Sequence, residues 1–468
     1  MEIAKQYAED VISGEIPASK YRKKCCKRFL KDFHNPKYEI QPKDADFVIN
    51  IIQKQLVHMQ GEDLEGRPLR GRPFLLLPFH IMIVVGLLAV YHTGTQIRKY
   101  KEAFIYIPRK NVKTTFAAAL SWGVGILNRK SGSKGFIVAA ALKQALEAFT
   151  FLKFNAERLL AEDDEDSYRI IDNNNEHSIE IRFDDGGSLK IEALAANPDV
   201  QDSFNCNFAI ADEMHAFKKP KQYTLFRDAM KAYTNKLMIG ITTAGDNMNS
   251  YCYRRLQYAK KVLDDVVQDE KLFIFLCEAD EDENGKIDYT NPKVHEEANP
   301  AYRETIRPDD ILSDSLQAQN DPQERKDFLS KSLNVYTSAM KAYFDIGEFQ
   351  RSDEQYNWSL EELAKMKIKW YGGADLSKLH DLTAAAMAGE YEDVLILITH
   401  GWFPIVKARA KAEEDSIPIF GWEEDGLLTM VNSPTLETDE PVDWFVKKRK
   451  AGFKIRQVGH DRKFARKY

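Results

Sequence analysis

At 468 residues the chain is too long for one ordinary core, and its length alone leads to an expectation of two domains. Hydrophobic residues make up 44% and charged residues 29%, a globular composition that excludes fibrous and low-complexity designs. A net charge of -6 excludes a uniformly basic nucleic-acid binder but says little about local patches.

Basic residues do cluster, at Lys20–Lys31, Lys218–Lys236 and Lys447–Lys467. Any one of these reads first as a solvated helix face, balanced by acidic runs such as Glu162–Asp166, and second as a phosphate contact. Cys25, Cys26, Cys206, Cys252 and Cys277 have no metal-binding spacing, and a disulfide framework does not suit this length, so a reduced cytoplasm is expected.

In chain order, residues 1–60 are charged and helix-patterned. Phe74–Tyr91 is nearly long enough to span a bilayer, but Pro78 and His80 interrupt it and no signal-like segment precedes it. A buried element beside a nucleotide pocket is the expectation there, and no membrane association. From Glu102 short apolar runs alternate with helical stretches: FIYI at 104, GFIVAAA at 135, NFAIA at 207, LMIGITT at 237 and LFIFL at 272. That rhythm predicts an α/β domain with a largely parallel sheet over 61–342. IEIRF and LKIEAL, around Asp184-Asp185-Gly186-Gly187, read as a hairpin inserted into it. A polar helical linker follows at 343–369, and a second α/β domain opens at 370 with WYGGADLS and runs to 468.

FIYIPRKNVKTTFAAAL reads strand, tight turn, helix, a geometry that aims backbone N–H groups and a helix N-terminus at phosphate oxygens. Lys113 would reach the β- and γ-phosphates and the Thr114 hydroxyl would bind Mg²⁺. Val112 stands where such loops carry glycine, and Ile107-Pro108 where they carry the first glycine. A basic strand-to-helix turn is an equally adequate reading of this loop taken alone. NFAIADEMHAF is a buried strand ending in Asp212, suited to holding Mg²⁺, and Glu213, suited to polarising the attacking water. A solvent-exposed strand end accounts for these two acids as well. LMIGITTAG ends in Thr242 and Thr243, either plain strand-end residues or sensors of the γ-phosphate. All three strand ends occurring in this order favours the functional reading.

With these residues in view the chain resembles the terminase large subunits of tailed phages, in the HK97-like group. The resemblance rests on PRKNVKTT, AAALKQA at 139, ADEMHAF, TTAG, EANP at 297 and GGADLSKLHDLTA at 372, and on early residues such as VISGEIPASKYRKKCCKRFLKDF. It implies a P-loop (ASCE-type) ATPase motor domain followed by a ribonuclease H-like nuclease domain. It also implies ATP with Mg²⁺, double-stranded DNA, portal protein, procapsid and small terminase subunit as partners, and a homo-oligomeric ring when assembled. The host cell cytoplasm, rather than the mature virion, is the implied location. Arg109 and Lys110 match the basic pair opening the family's phosphate loop, with Asn111, Val112 and Thr115 completing the ATP-binding stretch. The family's adenine-side glutamine is His80 here. Arg158 is the candidate arginine acting across subunits.

In the second domain the resemblance makes Asp375 and Asp461 holders of two Mg²⁺ or Mn²⁺ ions, the arrangement by which paired metals cleave phosphodiesters. Asp381 is placed as a supporting residue or a helix cap. The family's third metal-binding acid lies beyond Tyr468, which leads to the expectation of an incomplete nuclease domain with weakened or lost metal binding. Two alternatives stand beside this reading: a DNA-stimulated translocase without nuclease, and an inactive remnant that only binds DNA or portal.

Overall fold

The computed structural model describes residues 1–161, 166–197, 204–283, 285–337, 352–353, 355–356, 358–377, 382–406, 408, 419–433 and 439–460. The chain divides into two compact units, Met1–Ala339 and Met340–Tyr468.

The first unit opens with α1 (Glu2–Ser13), α2 (Lys20–Asp32), β1 (Tyr38–Ile40), α3 (Lys43–Gln55), α4 (Pro78–Ala89) and β2 (Val90–His92). The sheet domain follows as β3 (Glu102–Tyr106), α5 (Lys113–Leu127), β4 (Ser133–Ala139), α6 (Leu142–Leu159), β5 (Tyr168–Asp172), β6 (His177–Arg182), β7 (Ser188–Ala195) and β8 (Phe208–Asp212). It continues with α7 (Lys221–Ala229), β9 (Leu237–Thr242), α8 (Tyr251–Leu263), β10 (Leu272–Leu276), α9 (Pro292–Ala298), α10 (Pro308–Gln317) and α11 (Pro322–Lys331).

The large sheet has the order β10-β3-β9-β8-β4-β7-β6-β5. Pairing is parallel from β10 across to β7, and antiparallel where β7 meets β6 and β6 meets β5. The unbroken apolar character of β8, β9 and β10 follows from this position, because parallel strands covered on both faces have no solvent side to mark with polar residues. The hairpin expected around Asp184–Gly187 is β6–β7, and it extends this sheet.

Residues 1–60 form no core of their own. Ala4, Val11, Cys26, Phe29, Val48 and Ile52 share one core with the sheet strands, because the apolar stripes of α1–α3 find their partners on α4, α5 and β10. Arg22 of the first basic cluster is buried and donates to the Tyr7 hydroxyl, so that cluster is not simply a solvated face.

The apolar segment at 74–91 becomes α4, started by Pro78 at its first position and buried from Phe79 to Ala89. Gly86 lets it lie on β10, since a Cβ there would stand 2.3 Å from the Phe273 ring. No helix among the described residues is long and apolar enough to cross a membrane.

The second unit contains a helix at Leu360–Lys365, then β11 (Lys369–Asp375), β12 (Thr383–Tyr391), β13 (Val394–Pro404), β14 (Leu428–Val431) and β15 (Lys454–His460). Their order is β14-β13-β12-β11-β15, an antiparallel meander of β11, β12 and β13 flanked by strands that pair in parallel. Trp370, Met387, Trp402 and Phe445 fill its core. Both units have the α/β class expected from the sequence.

Candidate functional site

The loop after β3 lies beside the tips of β8 and β9, because β9 is inserted between the strand that leads to the loop and the strand that carries the acids. The Ile107 N–H continues the ladder past β3 by donating to the Thr242 carbonyl at 3.1 Å. The chain then turns through Lys110 (φ 63°) and Val112 (φ 60°) and enters α5 at Lys113. The position where glycine is absent does demand left-handed backbone, an unfavourable conformation for a β-branched residue.

Lys113 is buried, donates to the Pro108 carbonyl at 3.1 Å and lies 4.0 Å from Glu213 Oε1. Burial lowers its pKa, and the Glu213 and Asp212 carboxylates oppose that shift without cancelling it. Asp212 ends β8 and is also buried. Desolvation and the adjacent Glu213 push its carboxyl up to about 6, against the pull of Lys113 and a hydrogen bond from Thr114.

Glu213 sits in left-handed backbone (φ 48°), which turns its side chain towards β9. Its Oε2 accepts from the Thr243 hydroxyl at 3.1 Å and from the Thr243 N–H at 3.4 Å. His215 Nδ1 lies 3.1 Å from the same oxygen. Burial would raise this carboxyl, but His215, Lys113 and Thr243 together hold it down at about 2, so it stays ionised. The two neighbouring acids are thus driven apart electrostatically, one poorly compensated and one well compensated.

Sequence reasoning missed His215. Its N–H donates to Thr242 Oγ1 at 3.0 Å, and its Nδ1 lies 3.2 Å from Thr242 Oγ1 and 3.4 Å from Thr243 Oγ1. It therefore bridges Glu213 to both threonines. The signal was its place two residues after Glu213 in ADEMHAF, the offset that a single 3₁₀ turn over Met214–Ala216 brings back to the strand end.

Arg109 and Lys110 are exposed at the loop, Asn111 is buried and Thr115 is half-buried in the first turn of α5. Arg158 is exposed in the last turn of α6, where its guanidinium donates to the Gln55 carbonyl. His80 packs inside: its ring stacks on Phe116 of α5 at 4.4 Å, and its Nδ1 accepts the Leu77 N–H at 3.3 Å. Burial lowers its pKa to about 3 and keeps it neutral.

The donors around the loop suit a magnesium nucleotide. Thr114 and Asp212 offer hard oxygen ligands, and Lys113 is a buried cation whose nearest opposing charge is at 4.0 Å.

In the second unit Asp375 is exposed at the end of β11. Parallel pairing of β11 with β15 sets Ala374 opposite His460, so the two strands end side by side. Asp461 and Asp381 lie outside the described residues. Among the described residues no group of three or more His, Cys, Asp or Glu side chains is placed to hold a metal.

Comparison with known proteins completes the picture. A family model described as "Terminase large subunit, ATPase domain" matches residues 78–261. A second, "Terminase large subunit, endonuclease domain", matches residues 266–468 and so begins inside the first unit. Protein YmfN of Escherichia coli (strain K12) is 31% identical over 147 residues, 31% of this chain and 31% of that protein. The terminase large subunit of Enterobacteria phage HK97 is 24% identical over 246 residues, 52% of this chain and 45% of that protein. The matched stretches thus span less than half of either curated relative. Among solved structures, the HK97 bacteriophage large terminase is similar with a TM-score of 0.49 and 21% identity, over 89% of this chain and 80% of that one. On the two family models, which between them cover most of the sequence, the chain belongs to the terminase large subunits, with an ATPase domain followed by an endonuclease domain.

Proposed function

We propose that this chain hydrolyses ATP at the loop Pro108–Thr115 to drive double-stranded DNA into a procapsid, and that its second unit cuts concatemeric DNA. The observation that carries the reading is the meeting of Lys113, Thr114, Asp212, Glu213 and Thr243 at three adjacent strand tips.

Lys113 would bind the β- and γ-phosphates, and Thr114 with Asp212 would hold Mg²⁺. The bound ion neutralises phosphate charge. Glu213 would orient and accept a proton from the attacking water. When Lys113 turns to the phosphates, Glu213 loses one of the cationic partners that hold its pKa down, and its basicity rises towards what proton transfer requires. The His215–Thr242–Thr243 cluster would report that change to β9 and couple hydrolysis to motion.

In an assembled ring Arg158 is the proposed arginine acting on a neighbour's γ-phosphate. Asp375 and Asp461 would hold two Mg²⁺ or Mn²⁺ ions at the nuclease centre, a role supported by the shared end of β11 and β15. Portal protein, procapsid and small terminase subunit are the proposed partners, and the host cell cytoplasm is the proposed location. DNA grip by basic side chains would be largely independent of sequence and weakened by salt.

The test is steady-state ATP hydrolysis by the full chain, with and without linear duplex DNA, beside Glu213→Gln. The expected result is a loss of about 10²–10⁴-fold in turnover with MgATP still bound. Equal turnover in both proteins would remove Glu213 from the mechanism.

A further inference from the structure

The loop lacks glycine from Pro108 to Thr115, yet two of its residues, Lys110 and Val112, lie in left-handed backbone. A glycine-rich loop takes such a shape by its own backbone freedom. Here a segment that follows β10 bonds to the loop from outside.

Asn111, between the two left-handed residues, is wholly buried. Its Nδ2 donates to the Pro108 carbonyl at 3.3 Å, to the Arg109 carbonyl at 3.0 Å and to Asn299 Oδ1 at 2.8 Å. Its Oδ1 accepts the Ala301 N–H at 2.9 Å. Asn299, also buried, is oriented by donating from its own Nδ2 to the carbonyls of His295 and Ser332, both at 2.9 Å. Two further bonds frame the loop: the Arg109 N–H donates to the Lys331 carbonyl at 2.9 Å, and the Thr305 hydroxyl donates to the Lys110 carbonyl at 2.7 Å. Residues 299–331 therefore grip Arg109, Lys110 and Asn111 in succession, immediately before the strained Val112.

We infer that Asn299 is a positioning residue for nucleotide: the Asn111–Asn299 amide pair holds the phosphate loop in its binding shape, the work done by glycine elsewhere. Asn299 bonds to Asn111 and acts through it, so that Val112 is tolerated because the loop is clamped on its N-terminal side. This deepens the ATP reading and rests on it, since the clamped loop is the one that carries Lys113. The EANP sequence, 188 residues along the chain from Asn111, thereby acquires a role at the nucleotide site.

The experiment is a calorimetric titration of MgATP into the full chain, for wild type, Asn299→Ala, Val112→Gly and the double variant, with a melting curve for each. Removal of the buried partner is expected to weaken MgATP binding on the order of tenfold. In the Val112→Gly background the Asn299→Ala change should cost much less than it does in wild type, because glycine adopts the left-handed turn unaided. Thr305→Val removes only an exposed residue's bond to the Lys110 carbonyl. It should move affinity in the same direction by less, and it keeps the question open to measurement if Asn299→Ala does not fold. Weakening without rescue by Val112→Gly would overturn the inference and leave Asn299 a purely structural residue. Wild-type affinity in Asn299→Ala would overturn it too, with the ATP reading intact. Absence of MgATP binding to wild type would overturn both.

Discussion

At Asp212 the proposed metal-holding role is set against stability, and Asp212→Asn makes that cost measurable. In the folded chain its carboxyl is raised from 3.8 to about 6 by burial and by Glu213, beyond what Lys113 and Thr114 offset. A carboxyl with a raised folded pKa favours folding when protonated, so its penalty is small at low pH and grows as pH climbs from about 4 to about 6. Above that window the penalty is complete and amounts to roughly 3 kcal/mol; at pH 4.5 it is only about 1 kcal/mol. Asparagine is nearly isosteric, retains an oxygen to accept the Glu213 N–H, bonded at 2.9 Å in the wild type, and carries no charge. Without nucleotide or metal, Asp212→Asn should therefore be the more stable protein at pH 8 by up to roughly 3 kcal/mol, and the gain should shrink by about two-thirds at pH 4.5. Hydrolysis should be lost at every pH. The assay is urea unfolding of the intact chain in chelator, read by hydrogen exchange in peptides spanning β8 and α5, so that the first unit is followed by itself. A variant that is less stable than wild type at both pH values, or whose advantage does not change with pH, would refute the electrostatic account of Asp212.

Other outcomes follow from the packing. Asp32 accepts from Lys99 at 2.5 Å and from the Tyr100 hydroxyl at 2.6 Å, all three buried, so Asp32→Ala strands a cation inside the first unit. It should lower stability by about 3–5 kcal/mol in the same urea assay, with partial relief at alkaline pH as Lys99 sheds its proton. Gly86→Ala drives a Cβ into the Phe273 ring where α4 crosses β10, and a loss of about 1–3 kcal/mol is expected by the same readout.

The candidate nucleotide site was legible where chemistry is local in sequence. Lys113 and Thr114 follow a strand directly, and Asp212-Glu213 and Thr242-Thr243 each end one, so apolar runs closed by polar residues marked all three tips. His215 was missed because its offset from Glu213 gains meaning only through the left-handed turn at Glu213 and the 3₁₀ turn after it, which hydrophobic periodicity does not report. His80 stands where the family carries its adenine-side glutamine, a departure visible in the sequence, and the structure puts its ring in the stacking between α4 and α5. The helices of residues 1–60 were visible as helices, but their sharing of a core with the sheet was not, because an amphipathic stripe says that a partner exists without saying which.

By itself the sequence determined which segments are buried strands, which turn carries Lys113 and which acids stand at strand ends, because backbone period and side-chain chemistry act within a few residues. Only the tertiary structure decided that β9 stands between β3 and β8, which brings Thr243 to Glu213, and that EANP returns across 188 residues to grip Asn111. Strand order and loop clamping are contacts between distant parts of the chain, selected by how whole faces bury against one another, and no local pattern encodes them.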